Sequence, residues 1–192
     1  MRKRLVSMLA AAFVLTGLGA SAGPRPDPGP PAAGIGGPFT LIDQDGRRVT
    51  EQSLLGRPSV IFFGYIFCPE VCPTTLTRLT HDMHTLGRDA DRLNVVFVSI
   101  DSARDGPKQL KAYLGAFDPR IRGYTGSPAE IARIAREYRV FYRKVPLPGG
   151  NYAYDHSATV YLMDAQGRFV EPIGYDEPDA MTMASLRRLL GR

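Results

Sequence analysis

Two apolar runs constrain the fold of this chain more than any other feature: Ser59 to Gly64 (SVIFFG) and Asn94 to Ile100 (NVVFVSI). Nearly every residue in them is an apolar β-former without polar alternation, so each reads as a central strand covered on both faces. Between them Leu76, Leu79, Met83 and Leu86 recur at helical spacing behind Pro73, a proline suited to a first helical turn. Strand, helix and strand in this order place the chain in the α/β class.

The flanking sequence extends the same pattern. Phe39 to Ile42, the pair Asp45-Gly46 and Arg47 to Thr50 predict an opening hairpin. Lys108 to Phe117 carries Leu110, Leu114 and Phe117 on one helical face, and Ile121 to Thr125 reads as a short strand. Ser127-Pro128-Ala129-Glu130 is a capping box with proline at the first helical position, opening a helix through Ile131, Ile134 and Tyr138. Ala158 to Met163, a turn at Asp164 to Gly167 and Arg168 to Ile173 form a closing hairpin, and a last helix starts near Pro178. The expected architecture is a three-layer α/β domain.

Charge has to be located before it is interpreted. The formal net charge of +5 invites a nucleic-acid reading, but Arg2, Lys3 and Arg4 account for +3 in a segment without acids. The remaining 21 basic and 19 acidic residues are scattered without a long basic run, which describes a solvated surface and excludes nucleic acid as partner. Residues 1–22 join that basic start to an apolar stretch and the small residues Ala20-Ser21-Ala22, the pattern of a secretory signal peptide, with an uncleaved membrane anchor as the alternative. Either reading puts the body outside the cytoplasm, in the periplasm or on the outer face of the inner membrane of a bacterial cell, where thiols tend to oxidise. Residues 23–38 hold six Pro and five Gly and read as a linker, leaving residues 39–192 as the folded domain.

The chemistry concentrates in FFGYIFCPEVCPTTL, where Cys68 and Cys72, the only two cysteines, stand directly after the first buried strand and before a helix. A proline follows each cysteine, biasing both away from α geometry and making Cys72 the expected N-cap. Amides at such a helix start stabilise a thiolate, the form that binds metal or attacks a disulfide. The spacing C-x-x-x-C would place the two Cβ atoms about 5 to 6 Å apart in a regular helix, too far for an unstrained disulfide near 3.8 Å. As a loop it can close a disulfide, or leave two sulfurs sharing one ion. Spacing alone permits both uses.

Three strings together carry a resemblance. GYIFCPEVCPTTL, the S-I-D-x-x-R-D run from Ser99 to Asp105, and YDHSATVYLMDAQGRF from Tyr154 to Phe169 resemble the Sco/SenC family of copper-binding assembly factors for cytochrome c oxidase. The resemblance spans almost all of residues 39–190 in order. It implies a thioredoxin-like fold with a mixed central sheet and an N-terminal hairpin, and copper held by Cys68, Cys72 and His156. In such a sheet the strand at 158–163 runs antiparallel beside the one at 59–64, which brings His156 to the cysteines. Asp155-His156-Ser157 stands where thioredoxin-like reductases usually carry a cis-proline, which favours metal over general thiol exchange. Two thiolates and an imidazole suit Cu(I), whereas Cu(II) wants a further oxygen or nitrogen donor. Asp155 is the candidate to orient His156 from behind, and Glu70 adds negative charge between the cysteines.

The resemblance further implies an extracytoplasmic copper chaperone whose partners are the copper-centre subunit of cytochrome c oxidase and a thiol reductant. The alternative is a thiol-disulfide oxidoreductase that reduces the acceptor cysteines, with Cys68 and Cys72 as the exchanging pair. Two departures from the family pattern stand out: Ile66-Phe67 precedes the first cysteine where Thr-His is frequent, and Ser102 replaces a proline. Other candidates read as structure. His81 and His84 fall on the outer side and flank of the first helix. Met181 and Met183, two apart on a helix, face different ways. Residues 139–155, rich in Tyr, Pro and Gly, form a hairpin or flap over the site that contacts a partner.

Overall fold

The computed structural model describes residues 34–192; the expected signal or anchor at 1–22 and most of the linker lie outside the described residues. The opening hairpin forms as β1 (Thr40–Asp43) and β2 (Arg48–Thr50), followed by a single 3-10 turn at Glu51–Leu54. The two apolar runs become β3 (Ser59–Gly64) and β4 (Asn94–Ser99), with every residue of both strands buried. Between them lies α1 (Val71–Leu86), and after them come α2 (Pro107–Leu114), β5 (Ile121–Thr125) and α3 (Pro128–Glu137). The Ser127/Glu130 capping box is complete at the start of α3. The chain continues through β6 (Tyr142–Pro146), β7 (Tyr152–His156), β8 (Val160–Met163), β9 (Phe169–Ile173) and α4 (Asp179–Leu189).

Seven strands form one mixed sheet in the order β2-β1-β5-β4-β3-β8-β9. β3, β4 and β5 run parallel, and β8 lies antiparallel to β3 with Phe62 opposite Val160. Successive side chains of β3 show why both faces must be covered. Phe62 packs its ring 5.9 Å from that of Phe97, which in turn meets Tyr113 of α2, while Phe63 points the other way onto Tyr138 behind α3. Each such ring contributes about 1.5 to 3 kcal/mol by leaving water. Helices on both faces of the sheet give the expected three layers.

β6 and β7 are set apart. Among the described residues they pair only with each other, as an antiparallel hairpin with Tyr142 opposite His156 and Arg143 opposite Asp155. The expected flap over residues 139–155 is therefore a separate two-stranded sheet, and His156 is its last residue rather than part of a loop. Among the described residues no helix is long and apolar enough to cross a membrane.

Candidate metal site

α1 starts earlier than the Cys-Pro pairs suggest. Its N-cap is Glu70, so Cys72 lies inside the first turn and Pro73 follows within the helix. Glu70 is the cap because its carbonyl accepts the first helical bond, from the Thr74 N–H at 3.1 Å, and the Cys72 N–H, free of the helix ladder in this first turn, donates to the Cys68 sulfur at 3.4 Å. Pro73 has no N–H to lose in a turn where amides go unpaired. The helix start therefore serves the first cysteine, not the second.

That geometry decides which thiol ionises. A hydrogen bond from the Cys72 side chain, aided by the backbone amides of Cys72 and Glu70, holds the Cys68 thiol down to about 4 despite its burial. Cys72 moves in the opposite direction, because it is the donor to Cys68 and is itself buried. Cys68 is the thiolate of the pair, 8% exposed at the surface, and Cys72 is fully enclosed behind it. The two sulfurs are not bonded to each other.

Gly64 makes the enclosure of Cys72 feasible. A Cβ at that position would stand 2.5 Å from the Cys72 sulfur and 2.8 Å from the Phe97 ring, so any larger residue at the end of β3 collides with the site. Next to it the buried Tyr65 presents its ring edge-on to His156, with centroids 5.7 Å apart, and its hydroxyl accepts the backbone N–H of Tyr154 at 3.2 Å.

His156 closes the triangle from the hairpin. Its Nε2 lies 3.6 Å from the Cys72 sulfur and 3.9 Å from that of Cys68. The three ligand atoms all fall within 4.8 Å of one another, and among the described residues this is the only group of three or more such side chains able to hold a metal. Nδ1 donates to the Ser157 carbonyl at 2.9 Å, which leaves the Nε2 lone pair aimed at the sulfurs. The orienting role expected of Asp155 thus falls to Ser157. Side chains alternate along β7, and Asp155 turns away to pair with Arg143 at 2.6 Å, half exposed. Glu70 stays in solvent as the helix cap, outside the gathered ligand atoms. His81 is exposed, and His84 is 70% exposed beside Asp118. Met181 is exposed and Met183 half-buried on α4, apart from the site.

Sequence reasoning took the S-I-D-x-x-R-D run only as a family mark; in the structure it is the frame of the site. The Asp105 carboxylate, its pKa raised by burial, accepts the Ser99 hydroxyl at 2.7 Å and the Ile66 backbone N–H at 2.9 Å, which ties down the loop before Cys68. Asp101, fully buried, accepts the Tyr152 hydroxyl at 2.9 Å and the Arg104 guanidinium. Two acids and an arginine at the end of a buried strand are the signal that would have singled these residues out.

The SCO1/SenC family model matches residues 28–191. The chain belongs to the SCO1/SenC family. The SCO1 homolog 1 protein of Arabidopsis thaliana mitochondria is 40% identical over 153 residues, covering 78% of this chain and 46% of that protein. Yeast mitochondrial SCO1 is 43% identical over 148 residues, 74% of this chain and 50% of its own. The chain thus spans about half the length of these family members. Among solved structures, Bradyrhizobium japonicum ScoI with copper bound is 48% identical, superposes with a TM-score of 0.76, and covers 81% of this chain and 99% of its own. With such neighbours in the family, the fold is thioredoxin-like, with the mixed central sheet expected.

Proposed function

We propose that this protein is an extracytoplasmic copper chaperone that holds one Cu(I) between Cys68, Cys72 and His156 and delivers it to the copper centre of cytochrome c oxidase. The single observation that carries the reading is the convergence of two sulfurs and one imidazole nitrogen within 4.8 Å, from elements 84 residues apart in the chain. Two soft thiolates and a neutral imidazole are the donor set that Cu(I) favours over harder ions. The copper-bound relative supports copper as the cargo. The leader-like pattern of residues 1–22 supports a location on the periplasmic side, with membrane attachment if that segment is retained. Copper would leave by ligand exchange, acceptor thiolates replacing these donors one at a time.

Anaerobic titration with Cu(I) tests the reading. About one equivalent should bind to the reduced protein, and Cys68→Ser should abolish competition with a chelator. Normal affinity in that variant overturns the proposal.

One observation favours a second reading, thiol-disulfide exchange with the acceptor's cysteines. An ionised, slightly exposed Cys68 backed by a buried, protonated Cys72 is the arrangement of an attacking and a resolving thiol. Such a protein would depend on a thiol reductant to keep the pair open. His156 separates the two readings, since copper binding needs its nitrogen and dithiol exchange does not. Full cellular function in His156→Ala would favour the reductase.

A further inference from the structure

Besides Tyr65, whose hydroxyl and ring meet Tyr154 and His156, one further side chain touches both halves of the site. Arg104 donates through Nη1 to the Asn151 side chain and to the Tyr152 carbonyl, each at 3.1 Å, at the start of β7. Its guanidinium lies 3.7 Å from the centre of the Tyr152 ring. On its other side it stands 4.8 Å from the Phe67 ring and 6.0 Å from that of Tyr65, in the segment leading to Cys68. Asp101 anchors it from below through an ion pair with Nε, and the same carboxylate accepts the Tyr152 hydroxyl. With Asp101 buried and Arg104 itself only 18% exposed, the pair works at low dielectric, where charge-assisted bonds are strong.

The hairpin has no strand pairing to the main sheet among the described residues. Its position over the cysteines depends on the short link to β8 and on side-chain contacts, in which Tyr65 meets Tyr154 and His156 while Arg104 holds Asn151 and Tyr152 at the start of β7. We infer that Arg104, held by Asp101, is a positioning residue that fixes the start of β7 and through it sets His156 against the two sulfurs, so that histidine ligation weakens when this clamp is lost. The planar fork of arginine matters here: lysine could keep the charge opposite Asp101 but could not also reach Asn151 and the Tyr152 carbonyl while lying flat on an aromatic ring. The inference rests on the proposed copper role of His156.

A double-variant cycle tests it, with Cu(I) affinity measured anaerobically against a chelator for wild type, Arg104→Ala, His156→Ala and the combination. Each single change should lower affinity about 10- to 100-fold, and Arg104→Ala should add nothing once His156 is gone. Wild-type affinity in Arg104→Ala, or an equal further loss in the His156→Ala background, overturns the positioning role. Unchanged affinity in His156→Ala overturns the copper reading of that residue instead. Because Arg104→Ala leaves a buried Asp101 without its cation, the cycle is repeated with Arg104→Lys. That variant should unfold at the wild-type temperature, yet lose the nitrogen-ligand contribution to the Cu(I) X-ray absorption spectrum. Wild-type nitrogen ligation in Arg104→Lys also overturns the inference.

Discussion

Cys72 sits in the first turn of α1, pressed against Gly64 of a strand that is hydrogen-bonded on both sides, whereas His156 ends a hairpin that, among the described residues, shares no ladder with that sheet. The cysteine half inherits its geometry from backbone pairing and close packing, which have few alternative arrangements. The histidine half is set by polar side chains: Tyr65, Asp101, Arg104 and Asn151. A site assembled in this way has two ligands of fixed position and one whose position can be adjusted. Under the proposed chaperone role that division is useful, because release can begin at the adjustable ligand without disturbing the core.

The sharpest way to break this contrast is to damage the rigid half. Gly64→Ala should displace the Cys72 sulfur or the Phe97 ring, destabilise the fold by about 1 to 3 kcal/mol and lower Cu(I) affinity more than loss of the histidine does. Chemical denaturation and chelator competition on the same sample check both effects. A variant with wild-type affinity would show that the cysteine half is softer than its packing implies.

A second change probes α1 away from copper. Burial raises the Asp82 carboxyl to about 6 from an ordinary 3.8, and one of its oxygens has no hydrogen-bond partner among the described residues. Its charged form is therefore disfavoured in the folded state. The resulting cost is absent below about 3.8, grows between 3.8 and 6, and is constant above. Asp82→Asn should stabilise the protein by about 1 kcal/mol at pH 8, with a gap that narrows toward pH 5, and leave Cu(I) affinity unchanged. A gap that does not vary with pH would remove the explanation.

The smallest effect belongs to the hairpin's outer surface. Arg143 and Asp155 form an exposed pair across β6 and β7, so Arg143→Ala should cost less than about 1 kcal/mol and leave copper affinity within experimental scatter of wild type. A marked loss of affinity would mean that the hairpin is positioned from outside as well as by Arg104.

How much of this was legible in the sequence depends on the range of the interaction concerned. β3 and β4 could be read from their apolar runs to within a residue, and the start of α3 from its capping box, because burial and capping are local signals. The metal triad was reached by resemblance, since nothing between Cys72 and His156 encodes their meeting. The start of α1 was misplaced because proline preferences are local, while the amide of Cys72 is satisfied by a sulfur four residues back. With the cap went the ionisation: the stabilised thiolate is on Cys68. Asp155 was misjudged for a different reason, in that a shift of one residue along a strand reverses the face a side chain occupies. Arg104 reaches partners 47 and 48 residues away, and no pattern within its own segment announces them.

The pairing of β8 with β3 also has a consequence for the order of events in the life of the molecule. The two thiols precede the imidazole by at least 84 residues, and the hairpin that brings the third donor to them is joined to β8 by a link of only three residues. A chain folded only as far as β5 has its two sulfurs but not the hairpin that carries the imidazole. The complete trio therefore marks a chain that has folded at least as far as β8.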